Sequence, residues 1–212
     1  MEILDIHTHH YSSHPEKAIY AYAMKDMPFR EKVNYCSAGI HPWFLTQEDS
    51  QIQLDWLSEV VQRPEVIALG EAGLDKLTIT PFDLQVKVFR EVIELADKVG
   101  KPLIIHAVRA SNEIIALKKE YKPHNPWIIH GFRGKKEIAE VYLRQGISLS
   151  FGDRFQEKAL ETVTLEHLFL ETDESIEPIE SIYRRIAKVY GITSEELVEL
   201  VQQNIRNIFF NS

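Results

Sequence analysis

The run Asp5-Ile-His7-Thr-His9 carries a carboxylate and two imidazoles at alternate positions. In an extended strand alternate side chains share a face, so Asp5, His7 and His9 point one way and Leu4, Ile6 and Thr8 the other. Two neutral imidazoles projecting together at a strand's C-terminal end chelate a borderline divalent ion such as zinc, manganese or nickel. The theme recurs along the chain. Apolar runs end directly in a carboxylate in Ala68-Leu-Gly-Glu71, in imidazoles in Leu103-Ile-Ile-His106 and Trp127-Ile-Ile-His130, and in an acidic pair in Phe169-Leu-Glu171-Thr-Asp173. Brought together, these groups are enough for two metal ions sharing a bridging ligand. His10 and His14 fall outside the strand register and read as loop residues, and His124 and His167 stand at strand entrances, on the face away from the metals.

Convergence of these ends requires a particular architecture. Short apolar runs at Met1–Ile6, Ile19–Ala23, Val33–Ala38, Val66–Leu69, Leu103–Ile105, Trp127–Ile129, Ile147–Ser150 and Leu168–Leu170 read as strands. Between most of them, apolar residues recur at helical spacing: Leu54, Leu57 and Val61; Val86, Phe89, Ile93 and Ala96; Ile114, Ile115 and Leu117; Ile138, Val141 and Tyr142. Thr193 and Glu196 stand at capping-box spacing ahead of a stripe of Leu197, Leu200, Val201, Ile205 and Ile208, which predicts a closing helix. About eight strand–helix alternations predict an α/β chain closed into a (β/α)8 barrel, with the first two connections too short for full helices. In such a barrel the C-terminal strand ends form the catalytic rim. The 212 residues are expected to form a single domain, since no linker, repeat or low-complexity stretch divides them.

Composition narrows the class of function. With 44% hydrophobic residues the chain has material for one sizeable core, and a net charge of -8 argues against a protein that coats polyanions over a broad basic face. The single cysteine, Cys36, cannot form an internal disulfide, and the first residues lack the pattern of a signal peptide. No run approaches the ~18 apolar residues that span a bilayer. A cytoplasmic protein with no membrane association and no obligate protein partner is expected.

The ordered motifs Asp5-Ile-His-Thr-His9, Gly39-Ile-His-Pro42, Gly70-Glu-Ala-Gly-Leu-Asp75, Pro102-Leu-Ile-Ile-His106, Ile129-His-Gly-Phe132, Leu170-Glu-Thr-Asp173 and Asn204-Ile-Arg-Asn-Ile-Phe209 span essentially the whole chain. Together they resemble the TatD-type metal-dependent deoxyribonucleases and hydrolases. The resemblance implies one metal held by His7, His9, Glu71 and Asp173 and a second held by Glu71, His106 and His130, with zinc, manganese, magnesium or nickel as the pair of divalent ions. It implies a phosphodiesterase acting on DNA, short oligonucleotides or a small phosphodiester, and phosphate contact by His41, whose loop setting beside Pro42 suits a residue presented to substrate. Asp173 is the candidate orienter or general base for the attacking water and Glu71 the bridge. Asp5 and Glu171 are read as groups that fix histidine tautomers. Trp43 is expected to pack under the rim loop, with base stacking as the other reading. Asp75 either supports Glu71 or caps a helix.

Three departures bear on substrate. Where the family pattern places an arginine two residues beyond the strand histidine, Val108 stands, with Arg109 next. The segment after Asp173 is short and acidic, Glu174-Ser-Ile-Glu-Pro-Ile-Glu180, which would repel a polynucleotide on that side of the rim. Arg133, Lys135 and Lys136 follow His130 and precede a helix, where cations are mildly unfavourable for stability, so they are expected to hold the scissile or adjacent phosphate. Two other functions compete: a barrel hydrolase acting on an ester, lactone or amide, many of which bridge their metals with a modified lysine, and a metal-free binding protein on the same scaffold, which would have lost a ligand. Glu71 and the intact set of six ligand positions disfavour both.

Overall fold

The computed structural model describes residues 3–11, 14–27 and 33–210. Eight strands lie in chain order in one parallel sheet: β1 (Asp5–Thr8), β2 (Ala18–Tyr22), β3 (Cys36–Ala38), β4 (Val66–Asp75), β5 (Leu103–Val108), β6 (Trp127–Ile129), β7 (Ile147–Phe151) and β8 (Leu168–Leu170). Chain order with parallel pairing is what right-handed strand–helix–strand units produce, and it leaves β8 beside β1. The seam between them closes at the rim. Thr8 pairs with Asp173, whose N–H donates to the carbonyl of His7 at 2.9 Å while its own carbonyl accepts the N–H of His9 at 3.2 Å. The barrel expected from the sequence is the barrel observed.

The outer layer follows. Helix α1 (Ser50–Val60) leads into β4, α2 (Phe82–Val99) into β5, α3 (Ser111–Tyr121) into β6 and α4 (Lys136–Arg144) into β7; a short α5 (Glu157–Leu160) precedes β8, and α6 (Ile179–Tyr190) and α7 (Ser194–Phe209) end the chain. The two early connections contain only short 3-10 turns among their described residues, Pro15–Lys17 and Met24–Asp26. Each long helix buries one stripe, as α2 does with Val88, Phe89, Val92, Ile93 and Ala96. The α7 cap is the one expected: Thr193 Oγ1 accepts the Glu196 N–H, and the Glu196 carboxylate accepts the Thr193 N–H at 2.8 Å. Among the described residues no helix is long and apolar enough to cross a membrane.

Several elements differ from the sequence reading; β3 starts at Cys36, not Val33, and β5 runs past Ile105 to Val108. Strand β1 runs to Thr8, beyond the expected Ile6; Met1 and Glu2, expected in it, lie outside the described residues. Strand β4 continues six residues past Leu69, because Gly70 and Gly73 allow close passage along β5 and do not break the strand. At φ +125° and +149° respectively, a Cβ on Gly70 would strike the Ile104 carbonyl and one on Gly73 the His106 carbonyl. Helix α6 was not expected; Pro178 precedes it, and Glu180, read as part of an acidic loop, sits in its first turn where a carboxylate suits the positive end of the helix.

Asp5 fastens the seam. Its Oδ1 accepts the backbone N–H groups of His7 at 3.2 Å and Thr172 at 3.1 Å, and its Oδ2 accepts the Thr172 hydroxyl at 2.6 Å. It touches no imidazole nitrogen in these bonds, so the tautomer role expected of it gives way to a role in barrel closure. Burial pushes the Asp5 carboxyl up to about 7, even against three donors that favour the ionised form. Replacement by Ala strands two buried N–H groups and a hydroxyl, and should cost ~2–4 kcal/mol in denaturant unfolding, whereas Asn, which keeps an acceptor, should lose under half of that. Equal stabilities for the two variants would remove Asp5 from the seam.

Candidate metal centre

The strand ends deliver their polar groups to one point. Glu71, 7% exposed, is the hub. Its Oε1 lies 2.6 Å from His106 Nδ1, 2.8 Å from His130 Nε2 and 3.0 Å from His41 Nε2; its Oε2 lies 3.3 Å from His7 Nε2 and 3.4 Å from His9 Nε2. Asp173 stands beside the second group, with Oδ1 3.9 Å from His7 Nε2 and 3.8 Å from His9 Nε2. The two oxygens of one carboxylate thus divide the imidazoles into two sets. Asp173 reaches its place through a left-handed backbone (φ 53°) in the residue that also closes the barrel seam.

Outer carboxylates orient the imidazoles. Asp75 Oδ2 lies 3.4 Å from His106 Nε2, and Glu171 Oε1 lies 3.2 Å from His130 Nδ1 while accepting the Gly131 N–H at 2.6 Å. Each carboxylate can hold a proton on the far ring nitrogen, so that the near nitrogen, which donates to Glu71 in the absence of an ion, can offer its lone pair once that proton is displaced, the arrangement usual for metal-binding histidines. Asp75 therefore supports His106, neither Glu71 nor a helix end. His41 differs. Its Nδ1 accepts the Trp43 N–H at 3.1 Å, which puts the proton of the neutral ring on Nε2 facing Glu71. It serves as a donor to the hub, and a lone pair for an ion is missing on that side. At 7% exposure it is buried, not presented on a loop as the sequence suggested, because the 3-10 turn Pro42–Phe44 folds the chain back over it.

The electrostatics are those of a charged cluster with a buried hub, open to the clefts at His9 and Asp173. Burial alone would raise the Glu71 carboxyl, but the charge of His130 and the hydrogen bonds from His106, His130 and His41 hold it well below the usual range. Burial likewise works against a charged His130, and Glu71 and Glu171 outweigh it, carrying that imidazole well above its ordinary value. His9 is raised too, its burial offset by Glu71 and Asp173, whereas burial lowers His41. His7 is 0% exposed and neither ring nitrogen has a hydrogen-bond partner. A wholly buried imidazole with two unsatisfied nitrogens, among carboxylate and histidine atoms within 4.8 Å of one another, fits a divalent cation.

Two clefts meet over the cluster and share Trp43, His106, His130 and Asp173. One is walled by Tyr22, Lys25, Phe44 and Glu174, the other by Arg109, Ser111, Phe132 and Arg133. The basic trio separates. Arg133 approaches Asp173 Oδ2 at 3.8 Å, Lys136 pairs with Glu140 one turn along α4, and Lys135 is the exposed residue preceding that helix and lines neither cleft. Of the acidic segment after Asp173, Glu174 lines the first cleft, while Glu177 is engaged by Arg185 at 2.9 Å. Trp43, expected to be packed away, is 57% exposed.

A family model described as TatD related DNase matches residues 7–210. The chain belongs to that family. It is 29% identical over 200 residues to the uncharacterized metal-dependent hydrolase YabD of Bacillus subtilis, covering 82% of this chain and 77% of that one. It is 26% identical over 203 residues to a protein named 3'-5' ssDNA/RNA exonuclease TatD from Pantoea vagans, with 82% and 77% coverage. In fold it is similar to the crystal structure of YJJV, a TatD homologue from Escherichia coli, with a TM-score of 0.84 at 18% identity over 98% of this chain and 97% of that one. The TatD-like chain is a metal-dependent hydrolase acting on ester bonds.

The cluster sets a pH dependence. His130, placed between Glu71 and Glu171, holds a proton that an ion bound through this imidazole would have to displace. Because the imidazole's pKa is raised, displacement is opposed below that value and eased as pH climbs through it; Glu71, lowered, stays ionised throughout the neutral range. Zinc or manganese affinity should therefore rise with pH through and above neutrality, with proton release visible by calorimetry in buffers of different ionisation enthalpy. Binding that releases no proton at neutral pH would overturn this charge assignment.

Proposed function

We propose that the chain hydrolyses phosphodiester bonds of DNA, short oligonucleotides or small phosphodiesters at two divalent ions bridged by Glu71. The observation that carries this reading is the division of the histidines by the two Glu71 oxygens: His7 and His9 with Asp173 on one side, His106 and His130 on the other. The names of the nuclease relatives support the substrate class. Zinc, manganese, magnesium or nickel fits the nitrogen and oxygen donors, and a bound pair supplies charge neutralisation of the phosphoryl group and a water acidic enough to attack at neutral pH. The single buried cysteine and the absence of a disulfide support a reducing, cytoplasmic setting, and we read the barrel as one catalytic unit.

The protein's own groups then have defined tasks. Glu71, His7, His9, His106, His130 and Asp173 form the ligand set. Asp173, the least buried of its carboxylates, faces both clefts, where it orients the attacking water and accepts its proton as oxygen bonds to phosphorus and the ester oxygen departs. His41 directs its single ring proton at Glu71 from the cleft wall, where a phosphoryl oxygen can share it. Arg133 supplies the nearest basic side chain and Lys135 only the outer field.

Two experiments test this. Chelation should abolish cleavage of a generic phosphodiester and of short DNA, and manganese, magnesium or zinc should restore it; Glu71→Ala should lose metal and rate together, while Asp173→Asn should lose ~10²–10⁴-fold in kcat with smaller loss of metal. A Glu71→Ala protein holding two ions at full rate would end the bridge assignment. Separately, Arg133→Ala should raise KM for DNA and reduce the salt slope by about one, with Lys135→Ala and Lys136→Ala together doing less. An unchanged KM and slope for Arg133→Ala would make that side chain a solvated bystander.

A further inference from the structure

Trp43 is built into the centre's wall in a way that neither the ligand set nor the chemistry requires. Its N–H donates to His41 Nδ1, and its indole Nε1–H donates at 2.6 Å to Asp75 Oδ2, the oxygen that also lies 3.4 Å from His106 Nε2. Asp75 is itself 2% exposed and accepts the Leu77 N–H at 2.7 Å, so the polar edge of the indole is pinned to a fixed group. The ring meets His41 and His106 edge-on, at centroid distances of 5.0 and 5.9 Å. Yet more than half of the residue remains open, on the wall that both clefts share. Phe44 next to it is also exposed, but Lys25 Nζ stands 3.4 Å over its ring and occupies that face. Among the described residues no cation stands over the Trp43 ring.

An exposed aromatic is ordinarily mobile and needs no explanation. This one is immobilised at backbone and edge while more than half of it stays exposed, so the entropic cost of ordering it is met before any ligand arrives. A flat ring held within contact of two centre histidines is a platform for another flat ring. We infer that Trp43 stacks the base of the nucleotide whose phosphate enters the metal centre, and that Asp75 sets its orientation by holding the indole and His106 through one carboxylate. The inference deepens the phosphodiesterase reading and rests on it for the class of ligand. Stacking tolerates any base, since every base offers a π-face, so the platform favours a nucleotide over a bare phosphodiester without selecting sequence.

The test uses the metal-loaded full chain and two dinucleotides, dTpdT and an analogue lacking the base on the side of the scissile bond that wild type prefers to have occupied. Wild type should favour the base-bearing substrate in kcat/KM, and Trp43→Ala should shrink that preference by about 5- to 150-fold, with Trp43→Phe between. A preference unchanged in Trp43→Ala would overturn the platform while leaving the phosphodiesterase reading intact. A second readout needs no turnover: the emission lost between wild type and Trp43→Phe isolates Trp43 from Trp56 and Trp127. That emission should be quenched by dAMP and unaffected by 2-deoxyribose 5-phosphate. Quenching by both or by neither would overturn the platform. Quenching by dAMP alone, in a protein that cleaves neither dinucleotide with any metal, would uphold it and overturn the phosphodiesterase reading.

Discussion

Everything at the rim depends on one carboxylate buried among five imidazoles. An ionised Glu71 at this depth is affordable only because nitrogen atoms approach both of its oxygens, and removing any of them exposes a charge to a medium that solvates it poorly. The same condition explains the next layer. Glu171 and Asp75 keep the outer ring protons of His130 and His106, and the Trp43 N–H fixes the tautomer of His41. Three different partners thus decide which of these nitrogens can release a proton and turn a lone pair to an ion and which keeps its proton toward Glu71. His7, without either kind of partner, is where the protein side of the cluster is left incomplete.

The barrel and its polar rim were legible because most of the rim's polar groups follow apolar runs with no intervening turn. His106 and His130 each close such a run, and a parallel barrel gathers the C-terminal ends of all strands onto one face. The expected strand ends at Leu69, where the unbroken apolar run stops before Gly70, short of the full β4. In the structure Gly70 and Gly73 are places where backbone approaches backbone, and the six extra residues carry Asp75 to His106. A glycine's meaning depends on what lies against it, which one strand's sequence does not record. Helix α6 was missed for a related reason: its acidic and proline-bearing start resembles a loop until Ile182, Tyr183, Ile186 and Ala187 are seen buried along one stripe.

His41 and Trp43 exchange the places that their neighbourhood suggested. The loop setting beside Pro42 suggests an exposed histidine, and the tryptophan after it is expected to pack under the rim loop. The turn at Pro42–Phe44 reverses this, since the Trp43 N–H is bonded to the ring of His41, the residue just before the turn, holding the imidazole inward while the indole stands exposed at the rim. Similarly, nothing in the spacing of Asp5 and Glu171 separates their roles. One binds backbone N–H groups across the seam and the other an imidazole, a distinction set by which strand each faces once the sheet has closed.

Closure and chemistry are therefore the same structure seen from two sides. The Asp173 backbone bonds to His7 and His9 across the β1–β8 gap, and its side chain stands over those same two imidazoles. Because its conformation lies in the left-handed region, which disfavours an ordinary side chain, it is kept there by bonds on both flanks. Loosening the seam would move a carboxylate, two histidines and the hub they address together, while the helices outside would be little affected. That coupling accounts for Asp5, a group removed from the chemistry and fully committed to the seam, lying two residues from the first of those histidines.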